Sequence, residues 1–374
     1  MNHNDHGPWM QRALQQAALA VGIAEPNPRV GCVLVDSSGE LLGQGHTQTI
    51  GGPHAEIMAL RDAQERGKAT LGATAYVTLE PCSHHGRTGP CCEALVAAGV
   101  ARVVASLTDP NPLVGGKGFE RLRAAGVVVD TGPGAKESYE LNIGFFSRMQ
   151  RGTPWLRLKV AASLDGKTAL DNGQSQWITS AQARADGHAW RARAGAILTG
   201  IGTVREDDPR LDVRLVPCTR QPPLVLIDSR LETPPGAQLF IEGRPVWLYA
   251  AVRDDTRAHA LEQRGAEVRY LPGQEPGTSQ KVDLPAVLRD LGRRGVNELH
   301  VEAGHKLNGS LLREGLVDEL LVYLAPKLLG QGRGMANIGP FSSLDQALAL
   351  DFISSAMVGP DLRLLARFVG RDQF

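Results

Sequence analysis

The sequence predicts an α/β protein of two domains, on three observations. Its 374 residues are more than one ordinary hydrophobic core organises. Short apolar, β-branched runs alternate with segments of helical period along most of the chain, the order that builds parallel sheets with helices on their faces. Between two such series lies a break, 131–154, punctuated by Gly152 and Pro154. Domains 1–150 and 151–374 are therefore expected, with no internal repeat or low-complexity tract in either.

Composition narrows the function classes. Forty Lys and Arg balance forty Asp and Glu, and aromatic residues make up 5%. The broad positive field and stacking platforms of a nucleic-acid binder are thus missing, and a small-molecule partner is expected. The N-terminal stretch lacks the basic start and apolar core of a leader, and no run of about eighteen apolar residues occurs. No membrane contact and a cytoplasmic location are expected. Five cysteines, an odd number crowded into one region, suit metal binding or catalysis better than a disulfide framework.

In the first half, "RVGCVLVDSSGELLGQGH" reads as a hairpin turning at Ser37, Ser38 and Gly39. "PHAEIMALRDAQERG" is helical, "ATAYVTLE" a buried strand, and "GPCCEALVAAG" a second helix closed by Gly99. The strand "ARVVASL", the helix "GFERLRAAG" and the strand "VVVD" complete a βαβαβ run, and 131–154 reads as a short helix followed by a linker. In the second half, "WLRLKVAASLDGKTAL", "GAILTG", "PPLVLIDS", "PVWLYA", "AEVRYLP", "ELHVEAG" and "DELLVYLAP" are strand candidates. "SAQARADGHAWRARAG", with Ser180 as N-cap, and "DLPAVLRDLGRRG" are the clearest helices there. A largely parallel sheet follows.

Chemistry concentrates in "PHAE" and "LEPCSHHGRTGPCC". His54 and Cys91 each follow a proline at a helix start, where the partial positive charge favours thiolate. Cys82 follows a strand at its C-terminal end, the edge where open parallel sheets place ligands. One imidazole and two thiolates leave a fourth tetrahedral position for water, which Glu56 could deprotonate. A His-x-Glu followed by Pro-Cys is the pattern of zinc deaminases, whose usual next ligand is a cysteine three residues on; here His85 stands at that spacing. Two ligand sets therefore compete, one with His85 and one in which the intervening loop returns the chain to Cys91. Helix geometry favours Cys91, and Cys92, turned by about 100° along the helix, cannot serve equally. A closed structural zinc site is the rival reading. Cys32 and Cys92 are expected in the core, Cys218 in a loop without a role, and His3, His6 and His46 carry no motif.

Together, "PNPRVGCV", "PHAEIMAL", "AYVTLEPCSHHGRTGPCCEAL" and "DPNP" resemble the deaminase half of the bifunctional riboflavin-biosynthesis deaminase/reductases. The resemblance implies a cytidine-deaminase-like three-layer α/β/α domain. It implies His54, Cys82 and Cys91 as Zn2+ ligands, Glu56 as proton shuttle, and substrate contacts at Asn27, His84 and Arg87. "SLDGKTAL", "SQWITS", "GIGTVREDDPRLDVR", "IDSR" and "VEAGHKLNGSLL" resemble that family's reductase half, which implies a dihydrofolate-reductase-like α/β domain using NADPH.

Carried over by position, the cofactor contacts fall on Ala161, Trp177, Thr203, Asp207 and Ser229, and on the turn Gly304, His305, Lys306, Leu307, Asn308, Gly309 and Ser310. The substrate contacts fall on Ser175, Arg191, Leu211, Arg214 and Glu302. Two arginines suit a sugar phosphate. Without the resemblance, Arg191 reads as readily as a surface helix arginine and Trp177 as core. The implied enzyme deaminates a phosphorylated diaminopyrimidine and then reduces its ribosyl group to ribityl; a homo-oligomer is expected. The alternatives are a zinc nucleoside or base deaminase with an inactive or binding-only C-terminal half, and a zinc-stabilised interaction protein.

Overall fold

A computed structural model describes residues 6–83, 89–112, 114–275 and 277–374. The chain divides into two compact units, Met1–Arg151 and Gly152–Phe374.

The first unit opens with α1 (Gly7–Leu19), then the hairpin β1 (Gly31–Val35) and β2 (Leu41–His46). α2 (Ala55–Glu65), β3 (Thr74–Val77), α3 (Cys91–Ala97), β4 (Arg102–Ala105), α4 (Lys117–Ala124), β5 (Val128–Thr131), α5 (Ala135–Leu141) and α6 (Ile143–Arg151) follow. The sheet order is β2-β1-β3-β4-β5. β1 runs antiparallel to both neighbours, whereas β3, β4 and β5 are parallel. The hairpin turns as its sequence predicts: the Asp36 carboxylate accepts the N–H groups of Ser38 and Glu40 at 2.9 and 2.7 Å, and Gly39 takes φ +84.

Val33, Val35, Tyr76 and Val104 pack one sheet face against Met10, Ala13 and Leu14 of α1. The opposite face receives α2, which comes close because β2 has no side chain at two places. A Cβ on Gly43 would stand 2.3 Å from Ala59 O, and one on Gly45 2.4 Å from Met58 Cβ. Helices thus cover both faces, as a three-layer domain requires. Two elements differ from what the sequence predicts. α1 was not foreseen, although its buried Met10, Ala13, Leu14 and Ala17 have helical spacing. The supposed linker after α5 is helix α6, whose Ile143, Phe145 and Phe146 are buried.

The second unit contains β6 (Trp155–Ser163), β7 (Lys167–Leu170), α7 (Ala181–Arg193), β8 (Ala196–Gly200), α8 (Ile201–Asp207), β9 (Leu224–Ile227) and β10 (Val246–Ala250). α9 (Asp255–Glu262), β11 (Ala266–Tyr270), α10 (Leu284–Arg293), β12 (Glu298–Val301), α11 (His305–Arg313), β13 (Glu319–Ala325), β14 (Gly332–Gly334), β15 (Leu350–Val358) and β16 (Asp361–Phe368) complete it. Nine strands form one sheet, β11-β10-β9-β8-β12-β6-β13-β16-β15. The seven from β11 to β13 are parallel, and β16 and β15 close it antiparallel.

The continuous strand candidate 155–170 breaks at a turn, so that β7 leaves the main sheet and pairs with β14. The β15/β16 hairpin was likewise not foreseen. Ser180 does cap α7, accepting the Ala183 N–H at 3.2 Å. Along β6 the side chains alternate between an apolar core at Leu156, Leu158 and Val160 and a charged face. There Arg157, 2% exposed, pairs with Glu298 at 2.8 Å and Glu319 at 2.5 Å. Trp190 of α7 stacks on that guanidinium at 4.4 Å.

Candidate active sites

In the first unit, His54 is the N-cap of α2, one step outside the first turn where it was expected, and Cys91 is the first residue of α3. Cys82 lies on irregular backbone beyond β3, held by two contacts with the start of α3. The Cys91 N–H donates to its Sγ at 3.4 Å, and its carbonyl accepts the Cys92 N–H at 3.2 Å. His54 Nδ1 stands 3.5 Å from Cys82 Sγ and 3.3 Å from Cys91 Sγ, with all three ligand atoms within 4.8 Å of one another. Ligands bonded to zinc at ~2.0–2.3 Å in a tetrahedron are themselves about 3.5–3.8 Å apart, so this donor set and spacing fit a zinc ion.

Electrostatics agree with a cation site. The Cys82 thiol is pulled down to about 4, first by its hydrogen bond with Cys91, while that bond and burial push the Cys91 thiol up. Two thiols held this close, one lowered and the other raised by their shared hydrogen bond, suit a cation between them. Glu56, 3% exposed on the first turn of α2, has its carboxyl raised to about 7, mainly by burial and next by the Cys82 charge. It carries no salt bridge that would fix it as a structural acid among the described residues.

Cys32 and Cys92 are buried thiols, raised by desolvation and outside the cluster. Asn27 is half-buried, its N–H donating to Ala24 O at 2.9 Å. His84, His85 and Arg87 lie outside the described residues. Asp109, in the motif "DPNP", was given no role of its own from the sequence. It is buried, with its carboxyl raised to about 7, mainly by burial.

In the second unit, the sheet's direction of winding changes between β8 and β12, the place where open α/β sheets hold ligands at the strands' carboxyl ends. Glu302 follows β12 there. Arg191 of α7 donates to both its carboxylate oxygens and, at 2.9 Å, to Asp212 O, so Arg191 is no solvated helix arginine. Lys159 Nζ stands 3.4 Å from one Glu302 carboxylate oxygen, and His300 Nε2 stands 3.3 Å from the other. Burial alone would raise the Glu302 carboxyl, but the Arg191 and Lys159 charges outweigh it and hold it well below the usual range. Arg214 pairs with Asp212, and Leu211 is buried at φ +51, its carbonyl accepting from Arg244 at 2.9 Å.

Ser175 donates to Asp207 at 3.3 Å, joining two residues expected to touch different ligands. Trp177 is 61% exposed, not core, with the Arg184 guanidinium stacked on it at 4.4 Å. Ala161 lies beside Tyr323 in the sheet, and Ser229, past β9, accepts the Val282 N–H at 3.3 Å.

The supposed turn 304–310 is mostly helix. Gly304 is the N-cap of α11, with no side-chain cap and with Thr203 Oγ1 3.8 Å from where its Cβ would be. Uncapped first-turn N–H groups at a strand end fit a cofactor phosphate. Gly304 and Lys306 are exposed and His305 half-buried. Leu307 packs into the core, Asn308 is buried and donates to Met335 O at 2.9 Å, and Gly309 lies against Asn337 O. Ser310 donates back to Lys306 O at 3.3 Å.

Comparison with known proteins places both halves. Residues 3–107 match the cytidine and deoxycytidylate deaminase zinc-binding region, and residues 154–364, over half the chain, match the RibD C-terminal domain. The riboflavin biosynthesis protein RibD of Escherichia coli K12 is 46% identical, over 95% of this chain and 97% of that one. Its counterpart from Aquifex aeolicus is 39% identical, over 95% and 96%. Among solved structures, Acinetobacter baumannii RibD superposes with a TM-score of 0.88 at 39% identity, covering 98% of this chain and all of that one. The Thermotoga maritima diaminohydroxyphosphoribosylaminopyrimidine deaminase/5-amino-6-(5-phosphoribosylamino)uracil reductase gives 0.87 at 30% identity, with the same coverage. Two half-sites of different chemistry on one chain, matched from end to end, make this protein a member of the RibD family, the bifunctional deaminase/reductases of riboflavin biosynthesis.

Proposed function

We propose that the first unit hydrolytically deaminates 2,5-diamino-6-ribosylamino-4(3H)-pyrimidinone 5′-phosphate and that the second reduces the product's ribosyl group to ribityl. The product is 5-amino-6-ribitylamino-uracil 5′-phosphate. When bound, zinc supplies the Lewis acidity that makes water a nucleophile near neutral pH, and NADPH supplies the hydride. His54, Cys82 and Cys91 hold the metal. Glu56, buried beside them with a carboxyl poised near 7, takes a proton from the attacking water and returns one to the departing amine, so that ammonia leaves. In the second unit, Arg191 and Arg214 exchange their carboxylate partners for the substrate phosphate. Glu302, once released, is free to accept from ribosyl hydroxyls. Ala161, Trp177, Thr203, Asp207, Ser229 and the open positions Gly304 to Lys306 line the cofactor's side of the crevice.

The observation that carries this reading is the triad of ligand atoms within 4.8 Å of one another, with the buried Glu56 carboxyl two residues from His54. Glu56→Gln should keep about one zinc per chain and full NADPH oxidation on the deaminated substrate, while ammonia release falls by about a thousandfold. Zinc loss in that variant would remove the proton-shuttle assignment. A coupled assay on the wild-type chain tests the pairing of steps: NADPH oxidation should require prior ammonia release. Deamination without subsequent oxidation would instead support a deaminase with a binding-only second half. Among the described residues no helix is long and apolar enough to cross a membrane; the enzyme of this reading is cytoplasmic, acts without nucleic-acid partners and self-associates through β15.

A further inference from the structure

His54 and Cys91 are carried at the starts of helices, but Cys82 sits on irregular backbone, and something must fix its position. Two residues before it, Glu80 is 4% exposed and turned into the protein. Its Oε2 accepts the N–H groups of Asp109 at 3.2 Å and Gly116 at 2.9 Å. Its Oε1 accepts those of Gly118 at 2.8 Å and Phe119 at 3.3 Å. The Glu80 N–H in turn donates to Leu107 O at 2.9 Å.

These donors belong to the start of α4, whose N-cap Gly116 has no side chain to cap it, and to the segment after β4. One carboxylate from a distant strand end thus does what a local N-cap residue would do. The contact is close: a Cβ on Gly118 would lie 2.0 Å from Pro81 O. Glu80 and Pro81 are therefore clamped on α4, while Cys82 is bonded to α3 through both its sulfur and its carbonyl.

We propose that Glu80 is a positioning residue of the deaminase centre, setting where Cys82 stands relative to His54, Cys91 and Asp109 without touching the metal. A carboxylate whose acceptor sites are filled by four backbone N–H groups of fixed direction is a rigid joint. Supports of this kind around metal ligands typically govern affinity or activity by on the order of 10–100-fold. Gln has the same shape, but one of its two positions is an NH2 that faces N–H donors, so about half of the joint is lost. Asp keeps the charge at a shorter reach.

The test uses full-length Glu80→Gln and Glu80→Asp, with zinc and with cobalt(II) in its place. In Glu80→Gln the ammonia-release kcat should fall at least tenfold, zinc affinity should weaken by about the same factor, and the cobalt d–d bands should shift. Reductase activity should stay within twofold, and Glu80→Asp should recover part of the cobalt spectrum. Unchanged cobalt bands together with unchanged kcat and zinc affinity would overturn the proposal. So would a kcat loss that merely follows a lower Tm while the bands stay fixed. If Glu80→Gln does not fold, Gly118→Ala decides, because it forces α4 off Pro81 with the carboxylate intact. Shifted bands in that variant support the joint, and wild-type bands refute it.

Discussion

Cys91 and Cys92 are chemically identical and adjacent, yet one helical step separates a candidate ligand from a core residue. Cys91 Sγ faces His54, while Cys92, 1% exposed, lies outside the cluster. Cys91→Ala should therefore abolish zinc binding and ammonia release. Cys92→Ala should retain about one zinc per chain and lose only about 1 kcal/mol of stability through packing. Metal analysis of the two purified variants checks this; equal zinc loss would mean that the helix start is assigned wrongly. Although spacing alone left His85 in competition with Cys91, the candidate ligands were legible in the sequence because each follows a strong local signal, a proline before a helix or a strand's end. Glu80 and Asp109 were not, because what distinguishes them is burial and partners about thirty residues away. Arg191 and Glu302, 111 residues apart, were both named as substrate contacts, but nothing local says that they bind each other before substrate arrives.

At the scale of elements, the deaminase centre depends on how closely α2 lies on the sheet, since that helix carries both His54 and Glu56. Two glycines of β2 allow the approach, and Gly45 meets Met58 Cβ and Ala59 N at 2.4 and 2.7 Å from its would-be Cβ. Gly45→Ala should push the helix outward at a cost of about 1–3 kcal/mol. Ammonia release should fall at least tenfold while NADPH oxidation on the deaminated substrate is unchanged, since Gly45 belongs to the first unit. Parallel assays of the two steps measure the split, and an equal loss of both would argue against it. Elements with caps and clean periods could be read from sequence: the β1/β2 hairpin, α7 behind Ser180, α10 behind Asp283. α1 shows helical spacing too, but its buried face is half alanine, a weak hydrophobic signal. The turn 304–310 was read as a loop because its glycines at 304 and 309 suggest one. In the fold the first is an N-cap and the second a close helix contact.

On the scale of the whole molecule, the two edges of the nine-stranded sheet differ in kind. β11 is a guarded edge: Glu267 and Arg269 alternate on it and pair with Arg294 and Asp290. β15 has no such guard, with Asp351 its one charged residue. Phe352 is 76% exposed, Met357 65%, Ile353 42% and Leu350 37%, along a nine-residue strand with an open hydrogen-bonding side. That combination is an aggregation hazard unless it is covered, and its low charge suits a copy of itself better than a charged partner. A two-fold axis near Ser354 would set β15 antiparallel to β15 of a second chain and make each apolar patch the cover of the other. The exposed run was not legible in 350–358, because Leu350, Phe352, Ile353 and Met357 do not keep the period-two alternation of a half-buried strand. Phe352→Glu combined with Ile353→Lys changes exposed side chains, so the fold should survive while pairing is blocked. Sedimentation velocity at micromolar concentration should find the wild-type chain as a dimer or larger even-numbered assembly and the double variant one step smaller. If both sediment alike, the chains do not meet along β15.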